Sequence, residues 1–176
     1  VKAKGDLDDY YKELVALYSR PNRFYHTLNH VNNCLNEFKE ARSLALHPEE
    51  VEMALWYHDT IYNPELKDNE ERSAEFAYYT SREIELLVSF GRNVSRLILA
   101  TKHLTIPEDL DARIVVDIDL SILGKSEEEF DEYEGNIRRE YGFVPDEEFG
   151  EGRREVLQRF LDRDSIYSTG FFRNKY

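Results

Sequence analysis

At 176 residues, with 41% hydrophobic and 34% charged residues spread along its length, the chain has the balance of one folded domain rather than a disordered segment. Its formal net charge of -13 opposes binding to extended nucleic acid or anionic lipid, and a single cysteine, Cys34, excludes an internal disulfide. No apolar run reaches the length of a membrane span or has the form of a secretory signal, so the expected setting is cytoplasmic.

Apolar residues recur at three- and four-residue spacing along nearly the whole chain, and alternating runs joined by Asn-Gly or Asp-Gly pairs are absent, which predicts an all-α fold. A first helix is expected from about Leu7 to Ser19, with Leu7, Tyr10, Leu14 and Tyr18 on one stripe and Pro21 closing it. A loop then carries Arg23-Phe24-Tyr25-His26, and a second helix should span about Thr27 to Leu46. Pro48 opens a third helix that carries Val51, Leu55 and His58 and is ended by Asn63-Pro64. Further helices are expected from Asn69 to about Tyr79, from Ser81 to Gly91 and from Asn93 to Leu104.

The segment from Arg113 to Leu123 is read as helix although Ile114-Val115-Val116 alone could form a buried strand. Gly124 stands where a helix cap would, and no partner strand is evident. Ser126 and Glu129 have capping-box spacing at the start of a helix to Tyr141, and a helix from Pro145 to about Arg163 should close the core.

The residues that carry chemistry cluster in Tyr25-His26-Thr27-Leu28-Asn29-His30 and Trp56-Tyr57-His58-Asp59. His26 and His30 would share one side of a helix if both are helical. A zinc-protease pattern needs Glu directly after the first His, and Thr27 stands there. His58-Asp59 on an apolar, aromatic helix face is costly to bury unless something compensates it, and a metal ion does so. Asp117 and Asp119, set among Val115, Val116, Ile118 and Leu120, raise the same demand for a cation or a hydrogen-bond donor. Cys34 reads as a small core residue, His47 as a turn residue, and Gly124-Lys125-Ser126 lacks the upstream glycine of a phosphate-binding loop.

One His, then a His-Asp doublet, then a distant Asp resembles the HD superfamily of metal-dependent phosphohydrolases, whose order is present as His30, His58-Asp59 and Asp119. The Tyr25-His26-x-x-x-His30 stretch resembles the cyclic-nucleotide phosphodiesterase branch, which implies His26 as general acid and His30 as metal ligand. Ile118-Asp119-Leu120-Ser121 is similar to that branch's late aspartate context and favours Asp119, with Asp117 as the alternative. Asn69 to Ala74, Ala100 to His103, Asp117 to Gly124 and Gly152-Arg153-Arg154 resemble small bacterial proteins known only as predicted HD phosphohydrolases. The long catalytic domain of true phosphodiesterases has no room in 176 residues, so cyclic nucleotides are not implied.

The resemblance implies an HD-type helical bundle over 1–176 with a divalent metal (Mn, Mg, Fe, Co, Ni or Zn) on His30, His58, Asp59 and Asp119 and a small phosphorylated substrate. Asp59 or Asp119 would also orient the attacking water, Arg23, Lys102 and His103 would meet the phosphate, and Glu70 would accept from a ligand imidazole or a water at the metal. Three rival expectations are a non-catalytic module holding metal and a phosphorylated ligand, an HD-type iron oxygenase that recruits His26 and His103, and a purely structural helical interaction protein that binds no metal.

Overall fold

The computed structural model describes residues 7–176. Among these the chain is all-α, with nine α-helices, two 3-10 segments and no strand. α1 (Leu7–Tyr18) buries Leu14 and Tyr18, and the Tyr18 hydroxyl donates to the Trp56 carbonyl at 2.9 Å. α2 (Leu28–Ala41) starts at Thr27, whose side chain accepts the Asn29 N–H. It yields to a 3-10 turn (Arg42–Leu44), short of the expected Leu46. The reason is Asp111, whose carboxylate takes the N–H groups of Leu46 and His47 at 2.7 and 3.0 Å and draws the chain out of the helix.

α3 (Pro48–Tyr57) opens on Pro48 as expected but stops at His58, well before Asn63-Pro64. Arg23 donates to the Asp59 and Thr60 carbonyls at 2.7 Å each, the Thr60 hydroxyl donates to the Tyr57 carbonyl, and the Ile61 N–H donates to Ser73, so side chains hold the backbone here in place of a further helical turn. The expected helices at 69–79, 81–91 and 93–104 are instead two, α4 (Asn69–Glu83) and α5 (Val88–Ala100). The break falls at Glu85, in the left-handed region with φ 58. Gly91 lies inside α5 because a Cβ there would sit 2.2 Å from Ser81 Oγ, so it permits close approach to α4 and does not end a helix.

α6 (Leu110–Asp119) is capped by Asp109, runs into a 3-10 segment (Leu120–Gly124), and buries Ile114, Val115, Val116, Asp117 and Ile118 in succession. Burial on all sides explains why its sequence resembles a strand. α7 (Glu127–Glu140) carries the capping box of Ser126 and Glu129, and α8 (Asp146–Leu161) follows Pro145. The core does not close at Arg163. A short α9 (Gly170–Lys175) inserts Phe172, fully buried beside Tyr167, into the main apolar cluster. α2, α3, α5 and α6 pack against one another, so the N-terminal turn of α2 and the C-terminal ends of α3 and α6 meet. No described helix is long and apolar enough to cross a membrane.

Candidate metal centre

Three helix ends deliver the cluster: His30 from the first turn of α2, His58 and Asp59 from the end of α3, and Asp119 as the last residue of α6. His30 Nε2 lies 3.0 Å from His58 Nε2, 3.5 Å from Asp59 Oδ2 and 3.3 Å from Asp119 Oδ1. His58 Nε2 lies 3.1 Å from Asp59 Oδ2 and 3.5 Å from Asp119 Oδ1. Donor atoms bound at about 2.1 Å to one ion sit roughly 3.0–3.4 Å from one another, so these separations suit a single cation.

His58 tests that fit independently. Its Nδ1 is 3.0 Å from the Leu55 carbonyl, which can only accept, so Nδ1 carries the hydrogen. In the neutral ring the Nε2 lone pair then faces another imidazole and two carboxylates, an arrangement that either a proton or a metal ion can balance. The titration tendencies agree. Burial disfavours the charged ring, yet Asp59 and Asp119 outweigh it and raise His58 well above its ordinary value. Burial likewise opposes ionisation of Asp59 and Asp119, but the surrounding imidazoles hold both below the carboxylate range. The C-terminal dipole ends of α3 and α6 add to the preference for positive charge.

The buried group of His30, Cys34, His58 and Asp119 keeps its potential donor atoms within 4.8 Å of one another and can hold a metal ion. Cys34, expected as a plain core residue, is a member of this group. Its sulfur is 3.7 and 3.9 Å from the two nitrogens of His30, nearly equidistant. It therefore lies beside the ring and off the axis of the Nε2 lone pair.

Asp117 and Asp119 part company. Positions two apart on a helix point about 200° apart, so only one can face the cluster. Asp117 turns to the C-terminal segment, where it accepts the Ser168 N–H and hydroxyl at 2.7 and 3.0 Å and the Thr169 N–H at 2.7 Å. His103 Nε2 lies 2.9 Å from the other oxygen of Asp119, and its Nδ1 is buried without a partner among the described residues. The residue is held at φ 55, and its carbonyl accepts from Arg163 at 2.8 Å.

His26 precedes α2 and is not helical, yet its ring centroid lies 5.9 Å from that of His30. Its Nδ1 is 2.6 Å from Glu140 Oε2, and Tyr62 stacks on it at 4.1 Å. Glu140 also accepts the N–H groups of Phe24, Tyr25 and His26 on Oε1 and the Tyr62 hydroxyl on Oε2. Nothing in the local sequence marks Glu140 among the many acids of α7.

Arg23, expected at the phosphate, is a correction. It is 5% exposed and gives its donors to the carbonyls of His26, Asp59 and Thr60, so it ties two loops together from beneath. Glu70 does not accept from a ligand imidazole, because His58 uses the Leu55 carbonyl instead; Glu70 forms an ion pair with Lys102 at 3.9 Å. Lys102 pairs with Glu71 at 2.5 Å. His47 is more than a turn residue, since its Nδ1 lies 2.9 Å from Asp111.

A cavity of about 590 Å³ opens over the cluster, bordered by His26, Asp59, Glu70, Lys102, His103 and Asp119 on one side and by residues of α7 and α8 on the other. No family model, curated protein or solved structure matches the chain.

Proposed function

We propose that the chain is a metal-dependent phosphohydrolase of the HD type, with one divalent ion held by His30, His58, Asp59 and Asp119. The observation that carries this reading is the convergence of two Nε2 atoms and two carboxylate oxygens, with His30 and His58 each 3.0–3.5 Å from their partners, from the ends of three helices. Two neutral imidazoles and two carboxylates balance a dication and suit Mn, Mg, Fe, Co, Ni or Zn. Such an ion supplies Lewis acidity at a phosphoryl group and acidifies water.

The chain's own groups supply the rest. Glu140 anchors His26 through Nδ1, leaving Nε2 to face the cavity and hand a proton to the departing oxygen. Burial pulls the His26 imidazolium down, but Asp59 and Glu140 outweigh it and raise the ring above its ordinary value, which favours the acid form. His103 steadies Asp119, and Lys102 borders the cavity as a cation for an ester phosphate. The cavity is of a size that encloses a small phosphate ester.

Elemental analysis of the purified protein, with a panel of phosphomonoesters and phosphodiesters under several metals, tests the reading. His58→Ala and Asp59→Ala should each abolish metal binding and turnover together. Metal-dependent hydrolysis that persists in both variants would count against the assignment.

A further inference from the structure

The far wall of the cavity is not used by the reaction as described so far. There Arg153, Val156, Leu157, Arg159, Phe160 and Arg163 line the space, three cations and no carboxylate, in a chain of formal charge -13. A cationic face inside a cleft of an acidic protein concentrates anions at that face.

Arg153 is the built part of this wall. Its side chain is 14% exposed, its Nε is 2.9 Å from both Glu134 oxygens, and its Nη2 contacts Glu134 and donates to the Tyr133 hydroxyl at 2.6 Å. The guanidinium lies 4.9 Å over the Tyr133 ring. Nη1 makes no hydrogen bond among the described residues, so two N–H groups of a clamped, oriented fork remain for a ligand. Two rings separate this arginine from the metal-binding imidazole: Tyr133 packs on Tyr25 at 4.5 Å, and Tyr25 on His30 at 4.8 Å. A phosphate held at the cluster therefore leaves Arg153 unserved. Among the described residues Arg159 has no partner, and Arg163 meets only the neutral His103 carbonyl and the Phe160 ring, so neither faces a carboxylate there.

We propose that the α8 wall, with Arg153 at its centre, seats a second anionic group of the substrate. The substrate class is then a small organic molecule with a phosphate at the cluster and a second phosphate or a carboxylate at Arg153, its linker lying on Val156, Leu157 and Phe160. Which end meets the metal rests on the phosphohydrolase reading. The cationic wall itself does not.

Isothermal titration in the presence of Mn²⁺, with released phosphate assayed in parallel, reads the proposal, using fructose 1,6-bisphosphate against fructose 6-phosphate, and 3-phosphoglycerate against glycerol 3-phosphate. The doubly anionic member of at least one pair should bind about tenfold tighter or more, and which pair responds identifies the second group as phosphate or carboxylate. Arg153→Met should erase that preference and leave the singly anionic probe within about twofold of the unmodified protein. Glu134→Gln loosens the clamp but keeps the arginine, so it should retain the preference, whereas a merely structural tie between α7 and α8 would make the two variants behave alike. If Arg153→Met fails to fold by circular dichroism, the exposed Arg159→Met should still lower the preference. Equal affinities within both pairs, no binding of any probe, or a preference that survives in Arg153→Met and Arg159→Met would overturn the proposal. Absence of hydrolysis with binding intact would defeat only the phosphohydrolase reading.

Discussion

At His58 the deciding atom is Nδ1, because its bond to the Leu55 carbonyl turns the Nε2 lone pair toward His30 and the two carboxylates. His103 acts one step further out, on the free oxygen of Asp119. His103→Ala should weaken divalent-metal affinity by about 10–100-fold without unfolding the protein, read by competition with a chelating dye. An unchanged affinity would show that Asp119 needs no outer partner. Glu140 is the second decisive residue. Burial opposes its ionisation, but His26 and the loop N–H groups prevail and take it from 4.5 to about 2. Its folded value lies below its unfolded one, so its contribution to stability is complete above about pH 4.5 and is lost as pH falls toward 2. Glu140→Gln should therefore cost roughly 2 kcal/mol near neutral pH, with the gap to the unmodified protein narrowing below pH 4.5 in denaturant titrations. His26 and Glu140 stand 114 positions apart, so no local pattern could link them.

Among the elements, α6 is the one whose rotation matters most. Its buried face directs Asp119 to the cluster and Asp117 to the turn that opens α9. Asp117→Asn places an amide N–H against backbone donors and should destabilise the fold by about 1–3 kcal/mol while metal stoichiometry is kept. Asp119→Asn should do the reverse, lowering metal occupancy with a smaller effect on the apoprotein, and denaturation curves with elemental analysis separate the two. α4 and α5 approach closely at Gly91. Gly91→Ala should cost about 1–3 kcal/mol through overpacking against Ser81 and Tyr78, and adding Ser81→Ala should recover part of it in thermal melts. The existence and type of most helices were legible from three- and four-residue spacing, the Pro48 start and the Ser126 capping box. The ends of α2 and α3 were not, because Asp111 and Arg23, distant in the chain, hold the backbone where each helix stops.

Over the whole molecule, a metal ion taken up by a cluster that gathers two aspartates and two buried histidines at one point would link binding to folding. Saturating Mn²⁺ or Zn²⁺ should raise the melting temperature, with about 2.7 kcal/mol of added stability at a hundredfold excess over Kd, and a chelator should reverse it. Insensitivity of the melt to both would mean that the cluster is held by protons alone. The amino-acid sequence by itself determined the helical class and nominated His30, His58, Asp59 and an aspartate of α6. Helical periodicity is a local property, and ionisable side chains on apolar faces announce that something must compensate them. Only the tertiary structure decided which aspartate faces the cluster, that Arg23 is spent on carbonyls, that Glu140 holds His26, and that Arg153 looks into the cavity. Each of these depends on how a helix is rotated against segments far away in the chain, and packing of the assembled core sets that rotation.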